Sequence, residues 1–76
     1  MTVNVGTQRS VAEGWLASWR VRDGVIRVEW IAPPGGSLVN LKMMTLGEAL
    51  DEHMPRALWQ RIMLDWEDIR PDARRW

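Results

Sequence analysis

The chain has 76 residues, ten of them basic and ten acidic, with one histidine and no cysteine. That length allows one domain, 1–76, and a chain so short buries only roughly 60% of the surface it exposes when unfolded. Disulfides and thiolate metal sites are excluded, the cancelling charges give no global field toward nucleic acid or membrane, and no apolar run approaches the roughly 18 residues of a membrane span.

Stability must therefore come from large core side chains or from a second subunit. Six Trp and five Met supply the first, since each buried aromatic removes on the order of 150–250 Å² from water. Nine of the ten basic residues are Arg, a planar donor suited to carboxylates and phosphates. Residues 1–10, MTVNVGTQRS, lack the basic start and apolar run of a signal peptide. A reduced, cytoplasmic setting is the expectation. Residues 1–10 and 72–76 are expected to fray, although TVNV has the pattern of an added edge strand.

Asp23-Gly24 lies between two alternating runs and marks a two-residue type I′ hairpin. The turn sets Arg22 opposite Val25, Val21 opposite Ile26, Trp19 opposite Val28 and Ala17 opposite Trp30. Period two then gives one face of Trp15, Ala17, Trp19, Val21, Ile26, Val28, Trp30 and Ala32. The other face holds Leu16, Ser18, Arg20, Arg22, Val25, Arg27, Glu29 and Ile31. A rival reading makes residues 10–20 a helix, because SVAE is a capping-box pattern and Val11, Trp15 and Trp19 recur at helical spacing. Gly14 inside that helix costs about 1 kcal/mol relative to Ala, and the paired alternation becomes an accident. The hairpin is the stronger reading.

APPGGS, residues 32–37, is a turn because proline cannot donate to a ladder. LVNLKMM follows as a third strand, with Val39, Leu41 and Met43 on one side and Asn40 and Lys42 on the other. TLGE at 45–48 matches a capping box and opens a short helix to about His53. Pro55 suits the first turn of a second helix, which ends by Arg70 because Pro71 disfavours helical geometry before it. Leu58, Trp59, Ile62, Met63, Trp66 and Ile69 form an apolar stripe along it. The predicted fold is α+β: a three-stranded antiparallel meander whose tryptophan face is covered by two C-terminal helices.

No catalytic constellation stands out, and neither a cofactor nor a metal is expected. His53 sits near Glu48, Asp51 and Glu52, but metal ligation from a helix needs a spacing such as H-E-x-x-H, which is absent. A solvated acidic turn at a helix C-terminus accounts for it. The polar sheet face is more informative. Arg20, Arg22 and Arg27, with Lys42 and Asn40 on the third strand, gather basic charge, and Arg20 directly opposes Arg27, a mildly destabilising pair. An anionic partner above this face relieves it.

Single-strand nucleic-acid platforms add stacking aromatics, and the predicted face has none. Interleaved Leu16, Val25, Ile31 and Leu38 instead fit a protein interface, which mixes apolar patches with Arg anchors. The expected function is non-enzymatic binding of a protein with an acidic surface, as an adaptor or inhibitor. Phage-encoded inhibitors of host systems, such as anti-CRISPRs, share this general character. Nucleic-acid binding through the same arginines is the second reading. Leu64 breaks the pattern of the second helix and is the candidate for a second contact or a homodimer. Trp76 has no assigned role.

Locally, Ile62, Trp66, Asp68, Ile69, Arg70 and Pro71 in RIMLDWEDIRP are similar to the C-terminal motif of the MbtH-like proteins. Those are small partners of nonribosomal peptide synthetase adenylation domains, built from three strands and a helix. The resemblance is confined to residues 61–71. The family's Ser-x-Trp-Pro segment is absent, and Trp30 is followed by Ile31.

Overall fold

A computed structural model describes residues 3–70. Four strands, β1 (Val5–Ala12), β2 (Trp15–Arg22), β3 (Val25–Ala32) and β4 (Val39–Thr45), are followed by α1 (Leu46–Glu52) and α2 (Arg56–Ile69). The sheet is an antiparallel meander in the order β1-β2-β3-β4. The α+β class and the two helices match the expectation, but there are four strands and not three. The extra strand, β1, takes in residues 5–10 of the segment expected to fray and continues to Ala12. The helical alternative for 10–20 is replaced by strand on both sides of a turn at Glu13-Gly14. The expectations for Trp76 and residues 72–76 lie outside the described residues.

Two-residue turns join the first three strands. Glu13 and Gly14 have φ of 52° and 83°, and Asp23 and Gly24 have 53° and 76°, the positive pair that a type I′ turn requires. Gly14 has a second constraint, because a Cβ there would stand 3.0 Å from Cγ of Pro34. The β1–β2 turn thus packs against the β3–β4 loop. Near the other hairpin, the Gly24 N–H donates to the Val3 carbonyl at 2.9 Å and Asn4 Oδ1 accepts from the Asp23 N–H.

The β2–β3 register follows the hairpin expectation from Arg22↔Val25 to Trp19↔Val28, then shifts to Ser18↔Trp30, Ala17↔Ile31 and Leu16↔Ala32. Glu29 is the extra residue, a β-bulge that reverses the facing of everything after it. Trp30 and Ala32 therefore leave the predicted core face, and Ile31 enters it at 2% exposure. A second irregularity sets Glu29 against Leu41, Lys42 and Met43 of β4, between Val28↔Met44 and Trp30↔Asn40. Lys42 and Met43 adopt φ of 52° and 63° there, and Asn40 Oδ1 accepts from the Lys42 N–H. Leu41 stays buried, while Met44 packs against the core in the place expected for Met43.

Both helices cover one face. Trp19, Val21, Val28, Ile31, Leu58 and Ile62 are all buried in a common core with Ala17, Leu41, Leu46 and Ala49. Trp15, Trp59, Met63 and Trp66 pack partly exposed around it. Thr45 caps α1 as the TLGE pattern implies, its Oγ1 accepting from the Glu48 N–H while donating to Glu48 Oε1. On the β1 side a polar tie adds to the apolar packing of Val5 and Ala12. Trp19 Nε1 donates to Ser10 Oγ at 2.9 Å, Ser10 Oγ donates to Asp65 Oδ2, and Arg61 holds the other carboxylate oxygen at 2.8 Å.

Ser10 is buried and serves as the middle of this chain of hydrogen bonds. Its replacement by Ala orphans a buried indole N–H and one carboxylate oxygen, so S10A is expected to cost about 1–3 kcal/mol, read as a lower urea midpoint at unchanged slope. Glu13→Asn should act oppositely, because Asn tolerates the left-handed conformation better than Glu. A gain of up to about 1 kcal/mol is expected, and a lower midpoint for E13N would contradict the turn assignment.

Candidate functional site: the outer face of the sheet

The face of the sheet turned away from both helices is built in rows by strand pairing. Arg9 pairs with Ser18, Ser18 with Trp30, and Trp30 with Asn40, so these four side chains line up across the sheet. Val11, Leu16 and Ala32 form the neighbouring row. Arg20 and Arg27 face each other in the next, and Arg22 and Val25 close the row beside the Asp23-Gly24 turn. One end of the face is aliphatic, the other basic.

Glu29, the extra residue of the bulge, organises the middle. Its Oε2 lies 2.9 Å from Nη2 of Arg20, and its Oε1 accepts from Ser18 Oγ at 2.9 Å. The Arg20 guanidinium also donates to Thr7 Oγ1 at 3.1 Å. Arg20 is thus fixed on two sides, although its Nε is buried without a hydrogen-bond partner. Because both charges are partly exposed, this ion pair contributes on the order of 1 kcal/mol or less. It relieves the Arg20–Arg27 opposition from the Arg20 side only.

Among the described residues, no carboxylate forms an ion pair with Arg9, Arg22, Arg27 or Lys42. Arg9 instead lies over the Trp30 ring, 5.7 Å from its centroid, a distance at which the ring quadrupole attracts a cation. The expectation that this face carries no aromatic is therefore overturned. The signal for the change was the unbroken run Trp30-Ile31-Ala32, which cannot continue an in–out alternation without placing one large apolar side chain outward. Ile31, expected outward, is core.

Two adjoining depressions lie over β3 on this face. The larger, an open basin of about 590 Å³, is lined by Arg20, Arg22, Asp23, Val25, Arg27, Glu29 and Met43. A smaller one runs over Trp30, Leu38, Asn40 and Lys42, and shares Glu29 and Met43 with the first. They form one trough from the basic end to Leu38. The left-handed bulge at Lys42–Met43 brings Met43 onto the trough instead of into the core. The four predicted basic residues thus lie on one side of the molecule, with Arg9 and Trp30 as members that the sequence reading missed.

The remaining candidates lie elsewhere. Leu64 is 57% exposed on the solvent side of α2, across the sheet from the arginines. His53 caps α1 with its backbone N–H on the Ala49 carbonyl, and its Nε2 is 3.6 Å from Glu52 Oε2. Among the described residues no group of three or more metal-ligating side chains converges, and no helix is long and apolar enough to cross a membrane.

Charge divides along the same line as the layers. Residues 5–45, the strands and their turns, carry five basic and three acidic residues, whereas 46–70 carry three basic and six acidic. The neutral total therefore conceals a basic sheet and an acidic helical layer. Compared with known proteins, the chain matches no protein-family model, no curated protein and no solved structure.

Proposed function

We propose that the protein is a non-enzymatic binding module, an adaptor or an inhibitor, whose outer sheet face docks on an acidic surface of another protein. The observation that carries this reading is the pairing of unneutralised Arg22 and Arg27 with exposed aliphatic side chains on a face that neither helix covers. Val11, Val25 and Leu38 are 60%, 41% and 55% exposed, in a molecule whose core is otherwise well supplied. Interfaces of this kind combine Arg anchors with apolar contact. The acidic helical layer disfavours approach of an anionic partner from the opposite side and so orients the encounter.

One observation favours a second reading. Trp30 with Arg9 stacked over it supplies the aromatic that single-strand nucleic-acid platforms use. Against this, Glu29 sits in the middle of the face and repels a phosphate chain. The aliphatic end, with Val11 and Leu16, offers nothing to phosphates.

Two measurements separate these readings. The double charge reversal R22E/R27E changes exposed Arg22 and half-buried Arg27, neither of which has an ion-pair partner among the described residues, so its thermal midpoint should stay close to that of the parent. Affinity capture from the native host should nevertheless lose the partner that the parent retains. A partner retained by R22E/R27E would exclude this face as the docking site. A random single-stranded oligonucleotide, in turn, should bind negligibly even at low salt. Measurable affinity that falls steeply as salt rises would instead establish the nucleic-acid reading.

A further inference from the structure

We infer that the outer face receives one amphipathic helix of the partner, with an apolar cluster and an acidic cluster about four turns apart on the same helix face. This rests on the docking reading above and specifies the element that docks. Helices already cover the inner face of the sheet, so a helix laid on the outer face completes a three-layer arrangement of helix, sheet and helix.

The spacing comes from the sheet itself. Leu16 and Arg22 mark the aliphatic and basic ends of β2, six residues apart on one face. At roughly 3.3 Å per residue, the two ends are separated by about 20 Å. A helix rises about 5.4 Å per turn, so four turns, or about 14 residues, bridge the same distance and return to the same side. Aliphatic residues at one end of that helix meet Val11, Leu16, Ala32 and Leu38. Carboxylates at the other end meet Arg22 and Arg27, which lack anionic partners among the described residues.

A helix is favoured over an extended segment for a backbone reason. The middle of a sheet face presents side chains and no free ladder, because the strands' own hydrogen bonds lie within the sheet. An extended segment pressed there would bury its amides and carbonyls against Leu16, Ala32 and Trp30 without partners, whereas a helix satisfies its own. Glu29 at the centre of the trough adds a restriction: the partner helix carries neutral or basic residues between its two clusters, since a carboxylate there would meet like charge.

The test uses two synthetic alanine-based peptides of identical composition. One carries three Leu and three Glu on one helix face about 14 residues apart, and its isomer carries the clusters one turn apart. Titration into the 15N-labelled protein is followed through the Trp30 indole N–H and the Arg22 and Arg27 Nε–H resonances. The spaced peptide is expected to shift all three and to bind at least tenfold more tightly than its isomer. A proline at its centre should remove that advantage. The substitutions V11S/L38S, at exposed positions, and R22E/R27E, at one exposed and one half-buried position, should each weaken binding about tenfold without lowering the thermal midpoint.

Equal binding of the two peptides, survival of binding in the proline variant, or absence of shifts at millimolar peptide would overturn the inference. So would an oligonucleotide that moves the same three resonances when the peptides do not. The two levels fail differently. If R22E/R27E loses the native partner but the peptides show no preference, the docking face stands without its helix. If R22E/R27E keeps the native partner, both fall.

Discussion

One inserted residue governs the architecture. Glu29 has no opposite number on β2 and is the lone residue facing three on β4. Because strand side chains alternate with period two, a single unpaired residue exchanges the two faces for the rest of the strand. Before it, Ile26 and Val28 point to the helices. After it, Ile31 does, and Trp30 is turned outward beneath the guanidinium of Arg9. Without the bulge, Glu29 would still face outward opposite Ser18, but the outer face would carry Ile31 in place of Trp30. The core composition, the aromatic on the outer face and the electrostatic centre of the trough all follow from that one position.

This also explains which parts of the molecule were legible from residues alone. The Asp23-Gly24 turn, the pairing from Arg22↔Val25 to Trp19↔Val28 and the α2 stripe from Leu58 to Trp66 obey local rules and are found in the structure, whereas Ile69 at the end of the stripe is exposed. The parity change at Glu29 was not legible because Trp30 and Ile31 are both large and apolar, so either fits the core. Strand β1 escaped for a different reason. Its inward positions include Gln8 and Ser10, and Ser10 is inward-facing because Asp65 of α2 and the Trp19 indole meet it there. A polar inward residue satisfied by a partner 55 positions away in sequence leaves no apolar alternation to read. Glu13-Gly14, a turn dipeptide between two strands of eight residues, was the available cue, and the capping-box pattern SVAE obscured it.

The candidate site was legible in its charges and illegible in its limits. Arg20, Arg22 and Arg27 were readable because they precede the bulge, where the register is intact. Lys42 and Asn40 depended on β4 lying beside β3, which holds. Arg9 required β1, and Trp30 required the bulge, so both were missed. The dipolar division of charge was hidden by the zero total, because basic residues concentrate in strands and acidic ones in helices. A net charge reports on the long-range field of the whole molecule, and it cannot describe a layered protein whose two sides differ in sign.

The arginines on this face are not equivalent as binding groups, and the difference is entropic. Immobilising a side chain with many rotamers costs about 0.5–1.5 kcal/mol on association. For Arg20 that cost falls on folding, since Thr7 and Glu29 hold its guanidinium, and for Arg9 it is reduced by stacking on Trp30. Arg22 and Arg27 have no such support and must be ordered by whatever binds them. Arg20 and Arg9 consequently form a rigid platform that fixes orientation, while Arg22 and Arg27 supply the adjustable charge at one end. A surface divided this way discriminates by shape around Trp30 and Glu29. It gains its electrostatic attraction at the basic end, where guanidinium groups without ion-pair partners among the described residues can follow a partner's carboxylates.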